Sequence, residues 1–452
     1  MKYSCFLSKI SVLAVCAMFL FVSCEEKLEM AISGFFVEFD ALPEDTVFIS
    51  VTGNVNWIVE IIQTEQWLTV EPMEGNGNET LTILAEDNSD FTSRSAKIAI
   101  SGEGVQTDTI RIEQLADVDI SIHIRDIVFK EYCFESFDDN KDGKISMKEA
   151  RAAREIHVRR RQIYTLAGIE HFTRITLLDC SNNFIEELNL SHNVMLKELN
   201  CTNNYIETLD LRNNKELEIL QCPYNPIISL NLSGLDKLKK IDAYSASLYS
   251  IDVSTNTALT ELLLSNNEIQ ILDLSNNPEL LDLWCSANLL TTLDLTNNPK
   301  LEVLYCDNNR LSTINLSANT KLMHLWCEFN QFSGGTIDVS NNVDLITFRC
   351  SNNNLTSLNL VNNTRLQQLI CSSNLLTSLN LSSNTELTHV NCANNRLSGS
   401  INISNNRKLI ESHFGGNPEL GSIYVWADFL IIAENNELRY SKDPEAEWVV
   451  TD

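Results

Sequence analysis

From Leu166 to Leu420 the apolar positions recur with a period of 21 residues. The stretch "LDLWCSANLLTTLDLTNNPKLEVLYCDNN", which begins at Leu281, passes from one unit into the next. The unit reads L-x-x-L-x-C-x-x-N-x-L-x-x-L-D-L-S-x-N-x-x. Alternation through Leu-x-Cys predicts an extended segment that turns Leu and Cys to one side and their neighbours to the other. A fixed period of this length predicts a solenoid, because one unit cannot bury its apolar face alone and stacked units share a continuous core. Both halves of the unit read as extended, so two short strands per coil, little helix and a flattened or gently curved shape are expected.

The cysteine column tests that phase. It runs through Cys180, Cys201, Cys222, Ala243, Leu264, Cys285, Cys306 and Cys327. After a two-residue insertion near "SGGT" it resumes at Cys350, Cys371 and Cys392, and Phe414 takes the next slot. Replacement by Ala, Leu and Phe says that the slot is apolar and internal, where a free Cys serves as a small hydrophobe. Stacked side chains point in parallel rather than at each other, so buried thiols are expected in place of disulfides. Asn also recurs, at Asn204, Asn267, Asn288 and Asn309 in one column and Asn214, Asn277, Asn298 and Asn319 in another. Buried there, it would satisfy backbone groups of neighbouring coils. The residue before each Cys must face outward. It is mostly polar, but Trp284, Tyr305 and Trp326 fall in three successive coils, between Leu263 and Ile370. Asp282, Asp307, His324 and Glu328 would surround this stripe. Two readings stand: a binding face of rigid aromatics, able also to stack on sugar rings, or a ladder stacked on itself for stability. In the other half the outward residue is Asp or Asn, as at Asp210, Asp252, Asp273, Asp294 and Asn315, and is expected to be a solvated face.

The rest of the chain has other periods. Seven short runs, among them "TVFISV", "WIVEI", "SAKIAIS" and "TDTIRIEQ", are separated by turns such as "EGNGN" between residues 28 and 116 and predict a small β-sandwich. Residues 122–160 shift to helical spacing around "DDNKDGKISMKE", and "RAAREIHVRRR" reads as a solvated helix face beside that acidic loop. Residues 421–452 break the repeat but keep apolar groups, so they are expected to cap the open end of the core. The first 24 residues, Lys2 and Lys9 ahead of the apolar "ISVLAVCAMFLFVSC", read as a leader too short for an ordinary membrane span.

Charge narrows the partners. Against 61 Asp and Glu the chain has 33 Lys and Arg, a net charge of −28. That argues against nucleic acid and against direct docking on anionic lipid. No GxSxG, HExxH, P-loop or GxGxxG motif occurs, so no enzymatic activity is expected.

Four resemblances refine these expectations. The array is similar to leucine-rich repeats of the nested 21-residue class, which implies residues 161–420 as repeats and a protein partner. The order Trp57, Trp67 in "WLTVEP", Gly75, Arg94 in "RSAKI" and Gln114 resembles the BACON domain of Bacteroidetes surface proteins, which implies either a spacer or a carbohydrate binder. The loop matches the twelve-residue EF-hand, which implies Ca2+ held by Asp138, Asn140, Asp142, the Lys144 carbonyl, Ser146 and Glu149, with Gly143 at the sharp turn and Ile145 packed inward. "LFVSC" resembles a lipobox, which implies cleavage before Cys24 and its acylation, and "CEEK" resembles the acidic export tag of Bacteroidetes lipoproteins; an ordinary signal peptide or an uncleaved anchor is the other reading. Together they imply a mainly β, monomeric outer-membrane lipoprotein at the cell surface that binds an extracellular protein or glycan. The alternatives are a spacer or adhesin without a discrete ligand, and glycan binding through the BACON-like segment.

Overall fold

The structure, a computed structural model, describes residues 27–43, 45–62, 66–434 and 439–451. Cys24 lies outside them. The chain divides after Asp117 into two compact units.

The first unit is a sandwich of nine strands among the described residues: β1 Met30–Ile32, β2 Phe36–Phe39, β3 Val47–Gly53, β4 Asn56–Ile61, β5 Leu68–Glu71, β6 Glu74–Asn76, β7 Glu79–Ala85, β8 Arg94–Gly102 and β9 Asp108–Gln114. One sheet has the order β1-β3-β7-β5, the other β2-β9-β8-β4-β6. The two strands beyond the seven expected, β1 and β6, have three residues each, too few for alternation to register. β6 comes from the "EGNGN" stretch, and Gly75 sits there because a Cβ would lie 2.1 Å from the Trp57 ring. Trp57 and Trp67 are core residues. Arg94 lies 4.6 Å over the Trp67 ring and donates to the Glu86 carbonyl and to Gln114 Oε1. Buried Gln114 in turn donates to the carbonyls of Asp40, Ala41 and Glu86. Its signature residues are therefore spent on closing the sandwich.

The second unit winds into a solenoid. Short strands, one per coil and three residues long except for the last, form a parallel sheet of 14 among the described residues, from Glu155–His157 to Tyr440–Ser441. The register is direct: Leu283, Leu304 and Leu325 pair in line, as do Trp284, Tyr305 and Trp326. The central residue of each repeat strand is buried and its two neighbours are largely half-buried. The nine column cysteines are free and buried. Burial pushes their thiols up, to about 12 for Cys201 and Cys371, so they carry no thiolate near neutrality.

The second half of the coil departs from expectation. It forms no strand except at the C-terminal end, where Ser398–Asn402, Glu419–Val425 and Glu447–Val450 make a parallel sheet of three. Elsewhere its backbone groups go to side chains, to tight turns and to single coil-to-coil bonds such as that from Arg310 N to the Leu290 carbonyl. Asn298 Nδ2 donates to the carbonyls of Leu274 and Asn277, two coil-to-coil acceptors that a ladder would need. Asp294 accepts from Thr296 N, and Leu301 N turns back to the Asn298 carbonyl.

"RAAREIHVRRR" also departs from expectation. Its helix, Met147–Ala152, ends early; Glu155–His157 is the first strand of the sheet, and Arg160 takes the left-handed turn (φ 56°) that Asn182 takes one coil later. Helices α1 (Ile127–Phe137) and α2 (Met147–Ala152) close the near end of the core, Phe137 lying 5.4 Å from Phe172. At the far end α3 (Ala427–Glu434) inserts Phe429 among Trp426, Tyr440 and Trp448. No described helix is long and apolar enough to cross a membrane.

Candidate binding face and calcium loop

The strand face is built by register. Because Leu283, Leu304 and Leu325 are buried, residues two apart on each strand are forced outward. Trp284, Tyr305 and Trp326 thus stand in one column, half-buried. Trp284 and Tyr305 have ring centroids 5.2 Å apart at 35°, and Tyr305 and Trp326 4.3 Å apart at 24°. Arg349, next in the column, lies 4.4 Å over Trp326 and pairs with Glu328 at 2.9 Å. Tyr305 and Trp326 are therefore each flanked on both sides, by neighbouring rings and by a guanidinium, and Trp284 on one. That takes up most of the flat platform that stacking on a sugar ring requires.

Carboxylates flank the ridge. Glu261 and Asp282 belong to the column two residues before the ridge, Asp307 and Glu328 to the column two residues after it. Asp307 accepts from Ser286 Oγ and Asn308 Nδ2, and Glu261 pairs with Lys240. Burial holds the Asp242, Asp282 and Glu328 carboxyls above the ordinary range; the Trp284 indole offsets part of the rise at Asp282, and Arg349 part of that at Glu328. Even so, neither Asp282 Oδ1 nor Trp284 Nε1 closes a full hydrogen bond.

Both Asn columns are buried and bonded between coils. Asn288 Nδ2 donates to the carbonyls of Leu264 and Cys285 while its Oδ1 accepts from Ile269 N. In the other column Oδ1 of Asn277, Asn298 and Asn319 has no partner. The Asp column of the turn half is not merely solvated: Asp210, Asp252, Asp273 and Asp294 each accept from the N–H two residues on. A second aromatic run was hidden in the sequence. Tyr164, Phe184 and Tyr205 follow one another at 5.1 and 6.2 Å; the signal for Phe184 and Tyr205 is an aromatic directly after the column Asn.

In the EF-hand-like loop, Asp138 Oδ1 and Oδ2 accept from Asp142 N and Gly143 N, Asn140 Oδ1 from Asp142 N, and Asp142 Oδ1 from Lys144 N. Gly143 has φ 77° with open space where a Cβ would point. Ile145 is buried, and its carbonyl accepts from Ile120 N, so Val118–Ile120 braces the loop by backbone pairing. Glu149 reaches back to Asp139 N and Ser146 N while Ser146 Oγ caps α2. Among the described residues no three His, Cys, Asp or Glu side chains converge as a ready-made metal cluster. The donor set, carboxylates, an amide, a hydroxyl and the Lys144 carbonyl, is hard oxygen throughout and fits Ca2+.

Comparison with known proteins follows the same division. Residues 51–115 match the BACON family, described as "Putative binding domain, N-terminal". No curated protein matches the sequence. The solenoid is similar to the functional domain of InlJ from Listeria monocytogenes, a structure described as including a cysteine ladder, at 27% identity and a TM-score of 0.61 over 69% of this chain and 76% of that one. It shares its fold with the internalin InlF of Listeria monocytogenes (20% identity, TM-score 0.53, 74% and 93% covered). The same holds for YopM of Yersinia enterocolitica (19%, 0.52, 72% and 66%). The chain thus carries a BACON domain and a leucine-rich-repeat solenoid.

Proposed function

We propose that this is a binding protein of the bacterial surface, held by a lipid on Cys24, whose solenoid strand face takes a protein partner. The observation that carries the reading is the Trp284–Tyr305–Trp326 ridge. Three large rings stand in register on a rigid sheet, at small entropic cost on binding. The consumed ring faces favour a protein surface over a sugar ring. Calcium held by Asp138, Asn140, Asp142, Lys144, Ser146 and Glu149 would stiffen the helical end of the solenoid, since the loop is tied by backbone bonds to Val118–Ile120. A second reading has support in the Arg349 lid and the tight ring stacking: the ridge is a stabilising ladder only.

One experiment separates the readings. The chain from residue 28 onward and its Trp284→Ser/Tyr305→Ser/Trp326→Ser variant are screened against extracellular protein and glycan panels, with Ca2+ and with chelator, and melting is followed in parallel. The proposal expects a protein ligand lost in the variant at a modest fall in Tm. With 10 mM Ca2+ and a dissociation constant of about 10⁻⁴–10⁻³ M, Tm should rise by the equivalent of about 1.4–2.7 kcal/mol. Unchanged binding with a collapse of Tm would instead establish the ladder reading.

A further inference from the structure

The ridge and its borders together specify a kind of partner. Leu263, Trp284, Tyr305 and Trp326 form an unbroken apolar line across four coils, about 14 Å long at about 4.8 Å per coil. That length suits roughly four extended residues or three helical turns. On one side the strands present Glu261 and Asp282, and on the other Asp307 and Glu328, with Asp242 one coil before Leu263 in the ridge column. Two permanent cations pair with these five carboxylates, Lys240 with Glu261 and Arg349 with Glu328. Asp242, Asp282 and Asp307 form no ion pair with Lys or Arg; burial raises Asp242 and Asp282, and nearby Lys240, with His324 at Asp282, offsets part of that rise. A half-buried carboxylate without an ion pair is an electrostatic cost that an incoming cation would relieve. The molecule also contains a small version of such a contact: Arg349 lies over Trp326 while its guanidinium pairs with Glu328.

Resting on the reading that the strand face is the binding surface, we propose that its occupant is a basic, amphipathic segment of a protein partner: apolar side chains along Leu263–Trp326, and Lys or Arg directed to Asp282 on one border and Asp307 on the other. The net charge of −28 favours encounter with such a partner. Neutral glycans lack the cations, and an acidic peptide would meet like charge on both borders.

The test uses the chain from residue 28 onward and three synthetic peptides of equal length and equal apolar pattern, with Lys/Arg, Gln or Glu at the polar positions. Binding is read by titration of intrinsic tryptophan fluorescence and by calorimetry. The basic peptide should bind at least tenfold more tightly than the Gln peptide, and the Glu peptide should not bind. Affinity should fall as NaCl is raised from about 50 to about 500 mM. Asp282→Asn/Asp307→Asn, which keeps shape and removes charge, should weaken the basic peptide about tenfold and leave the Gln peptide unchanged. Equal affinity for the three peptides, or indifference to the Asp→Asn pair, would overturn the inference while leaving the ridge as a binding face. If the Trp/Tyr/Trp→Ser variant still bound the basic peptide unchanged, the underlying reading would fall with it.

Discussion

The two halves of each coil start from nearly the same Leu-x-x-Leu phrase and end as different structures. In the strand half, backbone N–H and C=O groups pair between coils, and the pairing frees the outward side chains to vary: Asp, Gln, Leu, Trp, Tyr and Arg all occur in one column. In the turn half, side chains replace the neighbouring strand. Buried Asn supplies the donors, and exposed Asp accepts the turn N–H, so Asp and Asn hardly change from coil to coil. A position released from structural work can be given to recognition; one that holds the backbone cannot. This is why the candidate binding ridge lies on the strand half.

Removing one Asn from each half breaks the comparison most sharply. Asn288→Ala leaves the buried Ile269 N–H without a partner, while the Leu264 and Cys285 carbonyls keep Asn267 and Asn309, at about 2 kcal/mol. Asn298→Ala removes two donated bonds and an Oδ1 that has no partner but strands no group, because the Leu274 and Asn277 carbonyls keep the N–H groups of Asn277 and Leu280, at about 1 kcal/mol. Urea unfolding of the two variants should rank them in that order. Equal losses would mean that the Oδ1 contact to the preceding coil contributes nothing.

A smaller effect separates the halves by pH. The turn-half carboxyls are held down: Asp210 to about 2, first by Arg212, and Asp252, Asp273 and Asp294 by the Ser or Thr two residues on. Their stabilisation is present above the ordinary carboxylate value and is lost as pH falls through their lowered values. The strand-face carboxyls Asp242, Asp282 and Glu328 are raised by burial, so their ionised forms oppose folding, and that cost is relieved as pH falls through their raised values. Tm should therefore rise slightly on acidification from neutrality and then fall below the ordinary carboxylate range. Asp242→Asn/Asp282→Asn/Glu328→Gln should flatten the early rise and leave the later fall. A wild-type Tm that declines steadily from neutrality would contradict this.

Much of this was legible before the structure. The 21-residue period fixed the coil, and the Ala, Leu and Phe replacements in the Cys column fixed which way it faces. Both Asn columns were readable because a polar residue that keeps phase with a core must be bonded inside it. What escaped was the use of backbone groups. Leu293-Asp294-Leu295 alternates as well as a strand does, and no pattern reveals that Asp294 and Asn298 have already claimed the N–H and C=O a second ladder would need. The strand in "EIHV" was hidden by the arginines around it, and β6 by its glycines. In the site, the outward stripe followed from the phase, but the stacking of its rings and the Arg349 lid depend on distances between coils that a sequence does not contain.

The central claim is that each strand turns its Cys inward and its preceding residue outward. Labelling the folded protein resolves this directly, with a thiol alkylating reagent and with oxidative footprinting, each read by mass spectrometry. The account predicts that Cys285, Cys306 and Cys327 stay unmodified until denaturant is added, while Trp284, Tyr305 and Trp326 are oxidised in the native state. Rapid alkylation of those thiols beside protected aromatics would contradict it.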